Sequence, residues 1–193
     1  MKLYEILNQS DPRKEIEEWL DMYHVKNYTI RPDGVVDVEG DVILARERME
    51  ATTTLPVQFG KVSGDFDCSD SHLTSLKGCP HHVGQGFKCY GTKITSLQHA
   101  PQYVGGRFVC FETKIKSFSG VDKIIKYVGG DFIGPTNGGV THILGLLLIS
   151  GVRGIQLDSG PVDGIMNKYV GTGDILSAQD ELIDAGFIDQ ARL

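Results

Sequence analysis

The sequence has no long hydrophobic run and no excess of basic residues, and each absence excludes a class of function. No stretch of about 18 apolar residues occurs, so no transmembrane helix is predicted. The 193 residues include 19 Lys and Arg against 25 Asp and Glu, which gives a formal net charge of −6. A general nucleic-acid or anionic-membrane binder normally has a basic face, and this composition does not favour one. The expected partners therefore include neither nucleic acid nor a membrane.

The first residues also lack the features of a secretory signal. The stretch "MKLYEILNQSDPRKEIEEWL" contains several acidic residues and no apolar core of signal-peptide length. The composition, 40% hydrophobic and 23% charged, is ordinary for a soluble globular protein. The 4 Cys do not indicate a small secreted disulfide framework. We therefore expect a cytoplasmic protein.

No recognised catalytic or cofactor-binding motif occurs in the sequence. The six histidines do not pair with serine or cysteine in a known nucleophile motif, and His81-His82 is predicted to lie in a loop. The glycines in "VGQG" and "VGGD" lack the strand-to-helix setting of a dinucleotide-binding loop, so they predict tight bends with positive φ. In "GTGD", Asp174 is expected to cap a helix in place of a bound anion. We expect neither enzymatic activity nor a cofactor.

A repeat of 21 residues organises the middle of the chain. The stretch "VSGDFDCSDSHLTSL" from Val62 returns as "VGQGFKCYGTKITSL" from Val83 and as "VGGRFVCFETKIKSF" from Val104. Related units begin at Val38 and Val128, each 24 residues from its neighbour, and the extra residues of the fourth unit lie in "GVDKIIKY". A fixed period of this length with Leu or Ile at fixed positions predicts a solenoid.

Apolar residues recur at four positions of each unit, and their spacing predicts how each coil folds. The Phe and Cys positions are two apart, so their side chains point to the same side of a short strand. The later Leu or Ile positions are three apart and cannot lie on that face, so the chain must turn after the strand. The predicted buried columns are Phe66/Phe87/Phe108, Cys68/Cys89/Cys110, Leu73/Ile94/Ile115 and Leu76/Leu97/Phe118.

The pattern thus predicts an α+β fold, a leucine-rich-repeat-like solenoid with a parallel β-sheet over residues 38–157. The return side of each coil is predicted to be extended or to form a single tight turn. Residues 1–37 are predicted to cap one end with a short helix over "MKLYEILNQ", a helix capped by Ser10 or Asp11, and a hairpin turning at "PDG".

Residues 158–193 are predicted to form a helical cap over the other end. The last coil before it contains the apolar run 143–149, which we expect to be buried. "VDGIMNKYV" is a short helix candidate, and a further helix is predicted between Asp174 and Gly186. The candidate buried residues of that further helix are Ile175, Leu176, Leu182 and Ile183.

Cys68, Cys89 and Cys110 recur with the repeat, so their sulfur atoms are expected about 5 Å apart in neighbouring coils. A metal site with nearby histidines is one interpretation, but no close CxxC or HxxxH pair supports it. Free cysteine is also a good small buried hydrophobe, and the period places these three inside the solenoid. We expect core residues and no bound metal.

The repeat motif "F-x-C-x(4)-L-T-S-L-x(3)-P-x(2)-V-G" resembles the short leucine-rich repeats of bacterial effectors. It is more similar to the small leucine-rich-repeat-like proteins of T4-like tailed phages, on the phrases "LPVQFGKVSGDFDCS", "LTSLKGCP", "VGGDF" and "GTGDILSAQDELIDAGF". The resemblance covers roughly residues 15 to 193. It implies a solenoid fold and an interaction role in the infected cell, and it implies no catalytic motif.

Residues that alternate with the buried Phe and Cys positions are predicted to point outward from the sheet. Tyr90, Val109 and Phe111 are expected to form an exposed apolar patch flanked by Lys88 and Arg107. Aromatic residues with arginine at the centre and charge at the rim are typical of protein-binding hot spots. The predicted partner-binding residues are Asp65, Asp67, Lys88, Tyr90, Arg107, Val109 and Phe111.

The function expected from these residues and from the resemblance is that of a non-enzymatic, phage-encoded interaction module. It is expected to bind and inhibit a host bacterial protein, such as a defence factor, in the host cytoplasm. One alternative is a virion or assembly component. A second is a sponge for a small nucleotide signal, which would need a cationic pocket at Lys88 and Arg107.

Overall fold

A computed structural model describes residues 11–44, 52–135, 139–157 and 160–193 of the chain. The chain winds into a solenoid whose coils contribute strands to two six-stranded sheets, named sheet A and sheet B below. Helices lie at both ends of the solenoid. The predicted parallel solenoid with an N-terminal helix and hairpin and a C-terminal helical segment is therefore confirmed.

Sheet B contains the predicted Phe-x-Cys strands and is parallel throughout. Its strands, in spatial order, are β12 (Gly154–Gln156), β11 (Asp131–Ile133), β9 (Phe108–Val109), β7 (Phe87–Lys88), β5 (Phe66–Asp67) and β3 (Val42–Ile43). Phe66 pairs with Phe87, and Phe87 with Phe108. This register stacks equivalent residues of successive repeats.

Sheet A is a second sheet that the sequence analysis did not predict. Its strands, in spatial order, are β1 (Tyr28–Ile30), β2 (Val36–Val38), β4 (Phe59–Val62), β6 (His82–Val83), β8 (Tyr103–Val104) and β10 (Tyr127–Val128). The first pair is antiparallel and the others are parallel. The return side of these coils is extended, which was one of the two predicted alternatives, but its pairing into a sheet was not predicted. The placement of His82 in a loop is wrong, because His82 lies in β6.

The valines that begin the repeat units are the inward-facing residues of sheet A. Val38 pairs with Val62, Val62 with Val83, and the column continues through Val104 and Val128. All five are buried, as are all twelve residues of the four columns predicted from the repeat. One continuous apolar core therefore runs between the two sheets.

Glycines form the corner between the two sheets, but not through positive φ as predicted. Gly84, Gly105 and Gly129 are absent from the positive-φ glycines. They stack instead: a Cβ on Gly105 would overlap the carbonyl oxygen of Gly84, and a Cβ on Gly129 would overlap that of Gly105. Only glycine fits at this corner, because neighbouring coils approach each other too closely for any side chain.

The second helix and the hairpin that were predicted for the N-terminal cap are present. Helix α1 (Pro12–Met22) is capped by Asp11, whose carboxylate accepts a hydrogen bond from Arg13 N. β1 and β2 form the predicted hairpin, in which Gly34 has a φ of +81°. The predicted domain boundary after residue 37 falls inside β2, because that strand completes the hairpin and also pairs with β4.

The C-terminal part consists of short helices packed on the last coil. They are α2 (Val121–Ile124), in the stretch "GVDKIIKY" that contains the extra residues of the fourth repeat, the 3₁₀ helix Ile143–Leu148, α3 (Pro161–Tyr169) and α4 (Ile175–Asp184). Three residues predicted to be buried are exposed, namely Leu148, Leu176 and Ile183. In α4 the buried residues are Ala178 and Leu182, and Ile175 is half-buried.

Some predictions lie outside the described residues. These are the helix over "MKLYEILNQ" and the part of the first repeat at 45–51. Among the helices that the structure describes, none combines the length and the apolar character needed to cross a bilayer.

Candidate protein-binding face

The outward residues of sheet B form a single surface, which we call the sheet B face. It comprises the seven predicted partner-binding residues, namely Asp65, Asp67, Lys88, Tyr90, Arg107, Val109 and Phe111. Each lies on a strand of sheet B or directly beside one, at positions that alternate with the buried Phe and Cys columns. The structure thus brings all seven together across three neighbouring coils.

Tyr90 and Phe111 form the aromatic centre of this face. Their ring centroids lie 4.6 Å apart, and the ring planes are within 4° of parallel. Both side chains are half-buried, as is Val109. The predicted apolar patch therefore exists, but it is less exposed than expected because each ring covers its neighbour.

The basic residues beside the aromatic pair are held in ion pairs. Lys88 Nζ lies 3.0 Å from Asp65 Oδ2 and 3.9 Å from Asp67 Oδ2. Arg107 Nε lies 3.1 Å from Asp131 Oδ2, in a pair that joins neighbouring coils. With 68% of its side chain exposed, Arg107 is the most accessible cation of the face. Exposed pairs of this kind contribute little to stability, about 0–1 kcal/mol each.

Asp65 has a structural role as well as a place on the face. Its Oδ1 accepts a hydrogen bond from Gly86 N at 2.7 Å, and its own N–H donates to Asp41 Oδ1 at 2.8 Å. Burial alone would raise the pKa of Asp65, but the hydrogen bonds from Gly86 N and Lys88 Nζ outweigh it, so the pKa is lowered. The same carboxylate therefore fixes the corner of one coil and stays ionised next to Lys88.

In the repeat alignment, the outward column of Tyr90 and Phe111 also contains Ala45, Ser69 and Pro135, and this column is partly covered. Ser69 and Pro135, which were expected to point to solvent with Tyr90 and Phe111, are buried. The Ser69 hydroxyl donates a hydrogen bond to Asp67 Oδ1. Ala45 of this column lies outside the described residues. Among the described residues of this column, the accessible apolar side chains are therefore Tyr90 and Phe111.

A cationic pocket for a phosphorylated ligand would need free positive charge at Lys88 and Arg107. Both side chains instead contact carboxylates of their own sheet. The positive charge is largely offset at the place where an anion would bind. This arrangement favours a protein-binding surface over a nucleotide site.

The cysteines lie in the core, as predicted. Cys68, Cys89 and Cys110 are free and fully buried, and so is Cys79 on the return side. Burial raises the pKa of Cys79 and Cys89 well above the usual value, and it raises that of Cys110 as well. Within the described ranges, no group of three or more His, Cys, Asp or Glu residues is arranged to hold a metal ion.

A second aromatic column, on sheet A, was not predicted. His82 stacks on Tyr103 with ring centroids 4.4 Å apart, and Tyr103 stacks on Tyr127 at 4.7 Å. The signal was available, because these residues directly precede Val83, Val104 and Val128 in the aligned repeats. Aligning the residue before each repeat valine would have shown a His-Tyr-Tyr column.

Comparison of the chain with protein-family models, with curated proteins and with solved structures finds no match.

Proposed function

We propose that the chain is a non-enzymatic interaction module that binds a partner protein through the sheet B face. The observation that carries the proposal is the parallel stack of Tyr90 and Phe111, half-exposed beside Val109 and bordered by ion pairs. Aromatic residues with arginine at a surface of this kind are the usual energetic centre of protein interfaces.

The solenoid also reduces the entropic cost of binding. Tyr90 and Phe111 restrict each other's rotation by stacking, and their strands are fixed on both sides by neighbouring coils. Ordering a mobile side chain at an interface costs about 0.5–1.5 kcal/mol. Side chains that are already ordered avoid much of this cost, so a small apolar area can suffice for specific binding.

The kind of partner is proposed from the sequence resemblance to phage leucine-rich-repeat-like proteins. On that basis the partner is a host bacterial protein, such as a defence factor, that the module binds and inhibits in the host cytoplasm. The sheet B face itself specifies only that the partner must offer an apolar contact for the two rings and polar groups for the ion-paired rim.

The experiment compares bacterial proteins captured from a lysate by the immobilised protein and by single variants. Tyr90→Ala and Phe111→Ala remove one ring each from the sheet B face. Lys93→Ala and Lys116→Ala serve as matched controls, because both side chains are exposed on the return side of the coils. Tyr103→Ala tests the aromatic column of sheet A.

The proposal predicts a protein that is captured by wild type and both lysine variants but lost with Tyr90→Ala and Phe111→Ala. Loss with Tyr103→Ala alone would place the interface on sheet A. Copurification with phage particles would support the virion alternative. If Lys88→Ala and Arg107→Ala abolished binding of a small phosphorylated ligand, with both ring variants unaffected, the sponge alternative would replace this proposal.

A further inference from the structure

β12 is the last strand of sheet B, and side chains cover its outer edge in place of a further strand. In the earlier coils, two backbone N–H groups per strand bond to the next coil. Phe87 N donates to Arg107 O, and Cys89 N donates to Val109 O, both at 2.9 Å. The register Phe108–Phe132–Ile155 makes Ile155 N and Leu157 N the equivalent groups of β12. With no following coil, these two donors need other partners.

Two residues of α3 supply those partners. Asn167 Oδ1 accepts a hydrogen bond from Ile155 N at 2.8 Å, and its Nδ2 donates to Ile155 O at 2.7 Å. Asp163 Oδ1 accepts a hydrogen bond from Leu157 N at 2.8 Å. The side-chain amide of Asn167 thus provides the acceptor and the donor that a neighbouring strand would provide.

The two side chains are held firmly in place. They lie four residues apart on one face of α3, and Asn167 Nδ2 also donates to Asp163 O at 2.7 Å. The helix packs on the core through Val162, Ile165 and Met166. Tyr169 and Lys168 at its end both bond to Glu181 of α4.

The other end of sheet B is open in the part of the chain that the structure describes. Val42 N and Leu44 N of the first coil donate to Asp65 O and Asp67 O. Because N–H groups alternate along a strand, Ile43 N–H points away from the sheet. No strand from residues 11–44, 52–135, 139–157 or 160–193 pairs with this edge, and Ile43 is 60% exposed.

We propose that Asn167 and Asp163 are an edge plug that prevents head-to-tail pairing between copies of this chain. The plug covers the outer edge of β12. Without the plug, this edge could pair with the β3 edge of a second copy. All pairings within sheet B are parallel, so the second copy would continue the sheet in the same direction. Such a contact does not close on itself and would extend into chains of molecules.

The test is the mass of wild type and of the double variant Asn167→Ala/Asp163→Ala, measured by light scattering over a range of concentrations. Wild type is expected to keep one mass, while the double variant is expected to grow with concentration beyond a dimer. Adding Ile43→Pro to the double variant should restore the wild-type mass, because proline removes the N–H that the β12 edge of another copy would bind. Asp180→Ala, on the exposed side of α4, is the control.

A double variant that keeps its circular dichroism and a single mass at all concentrations would overturn the proposal. So would assembly that persists with Ile43→Pro. If the double variant does not fold, hydrogen exchange in the wild-type protein tests the proposal in its place. Slow exchange of the Ile155 and Leu157 amides, comparable with those of Phe87 and Cys89, supports the plug, and fast exchange of both contradicts it.

Discussion

Gly105 packs directly against the carbonyl oxygen of Gly84 in the preceding coil, with no room for a methyl group between them. Gly105→Ala is therefore expected to destabilise the protein by about 3 kcal/mol or more, at the upper end for overpacking changes, because both contacting groups belong to the backbone. Denaturant unfolding monitored by circular dichroism measures this loss.

Gly164→Ala is the matched control for the corner prediction. Gly164 lies inside α3, where an added Cβ meets no atom within 4 Å. Alanine there should stabilise the protein by about 0.5–1 kcal/mol, because it removes the helix penalty of glycine. Equal effects of the two substitutions would contradict the close-approach explanation of the corner.

Phe87 lies in the centre of the core between the two sheets. It is fully buried, and its ring contacts Phe66 at 5.8 Å and Phe108 at 5.0 Å between centroids. Phe87→Ala is expected to lower the free energy of unfolding by about 3–5 kcal/mol. A loss below about 1 kcal/mol in denaturant unfolding would mean that the core is not packed as described.

The four cysteines of the native protein are expected to react slowly with thiol reagents. All are buried, and burial raises the pKa of Cys79, Cys89 and Cys110, so little thiolate is present at neutral pH. Native protein is expected to react much more slowly than protein unfolded in denaturant, where all four thiols should be titrated. Rapid reaction of two or more thiols in the native state would show that the core is open.

Because the pKa of His82 is lowered in the folded protein, the protein is expected to lose stability in mild acid. Burial, with smaller contributions from Lys61 and His81, lowers the pKa of His82 below the usual histidine value of about 6.5. The unfolded chain then takes up a proton at a pH where the folded chain does not. The contribution of His82 to the free energy of unfolding is therefore fully present above pH 6.5. It decreases as the pH falls from that value to the folded-state pKa.

The measurement for His82 is the free energy of unfolding at about pH 7.5 and about pH 5.5, for wild type and for His82→Tyr. Tyrosine can stack on Tyr103 as Tyr127 does, but it does not titrate in this range. The decrease towards acid pH should be smaller in the variant. An equal decrease in both proteins would assign the pH dependence to other groups.

The repeat alignment predicted the part of the fold that depends on equivalent residues meeting in neighbouring coils. It located the Phe and Cys columns, and it placed Tyr90, Val109 and Phe111 in one patch. Sheet A was missed because its strands β6, β8 and β10 each contribute a single buried valine, preceded by His82, Tyr103 or Tyr127. One apolar residue per strand gives no alternation to detect.

Other features depend on tertiary contacts that the sequence pattern does not contain. Leu176 and Ile183 were expected to be buried, but α4 packs through Ala178 and Leu182 and turns the other face to solvent. Lys88 was expected to flank the patch, and only the stacking of coils shows that Asp65 and Asp67 reach it. The role of Asn167 at β12 could not be predicted either, because the sequence does not show which strand is the last one of sheet B.

Binding of a protein to the sheet B face is measured by the affinity of the captured partner for wild type and for Tyr90→Ala and Phe111→Ala. Isothermal calorimetry, with the melting temperature of each variant measured alongside, provides both quantities. If the face binds the partner, each variant is expected to lose about 2 kcal/mol or more of binding free energy, roughly thirtyfold in affinity. The melting temperature is expected to change only slightly. Unchanged affinity in both variants, in folded protein, would contradict binding through the sheet B face.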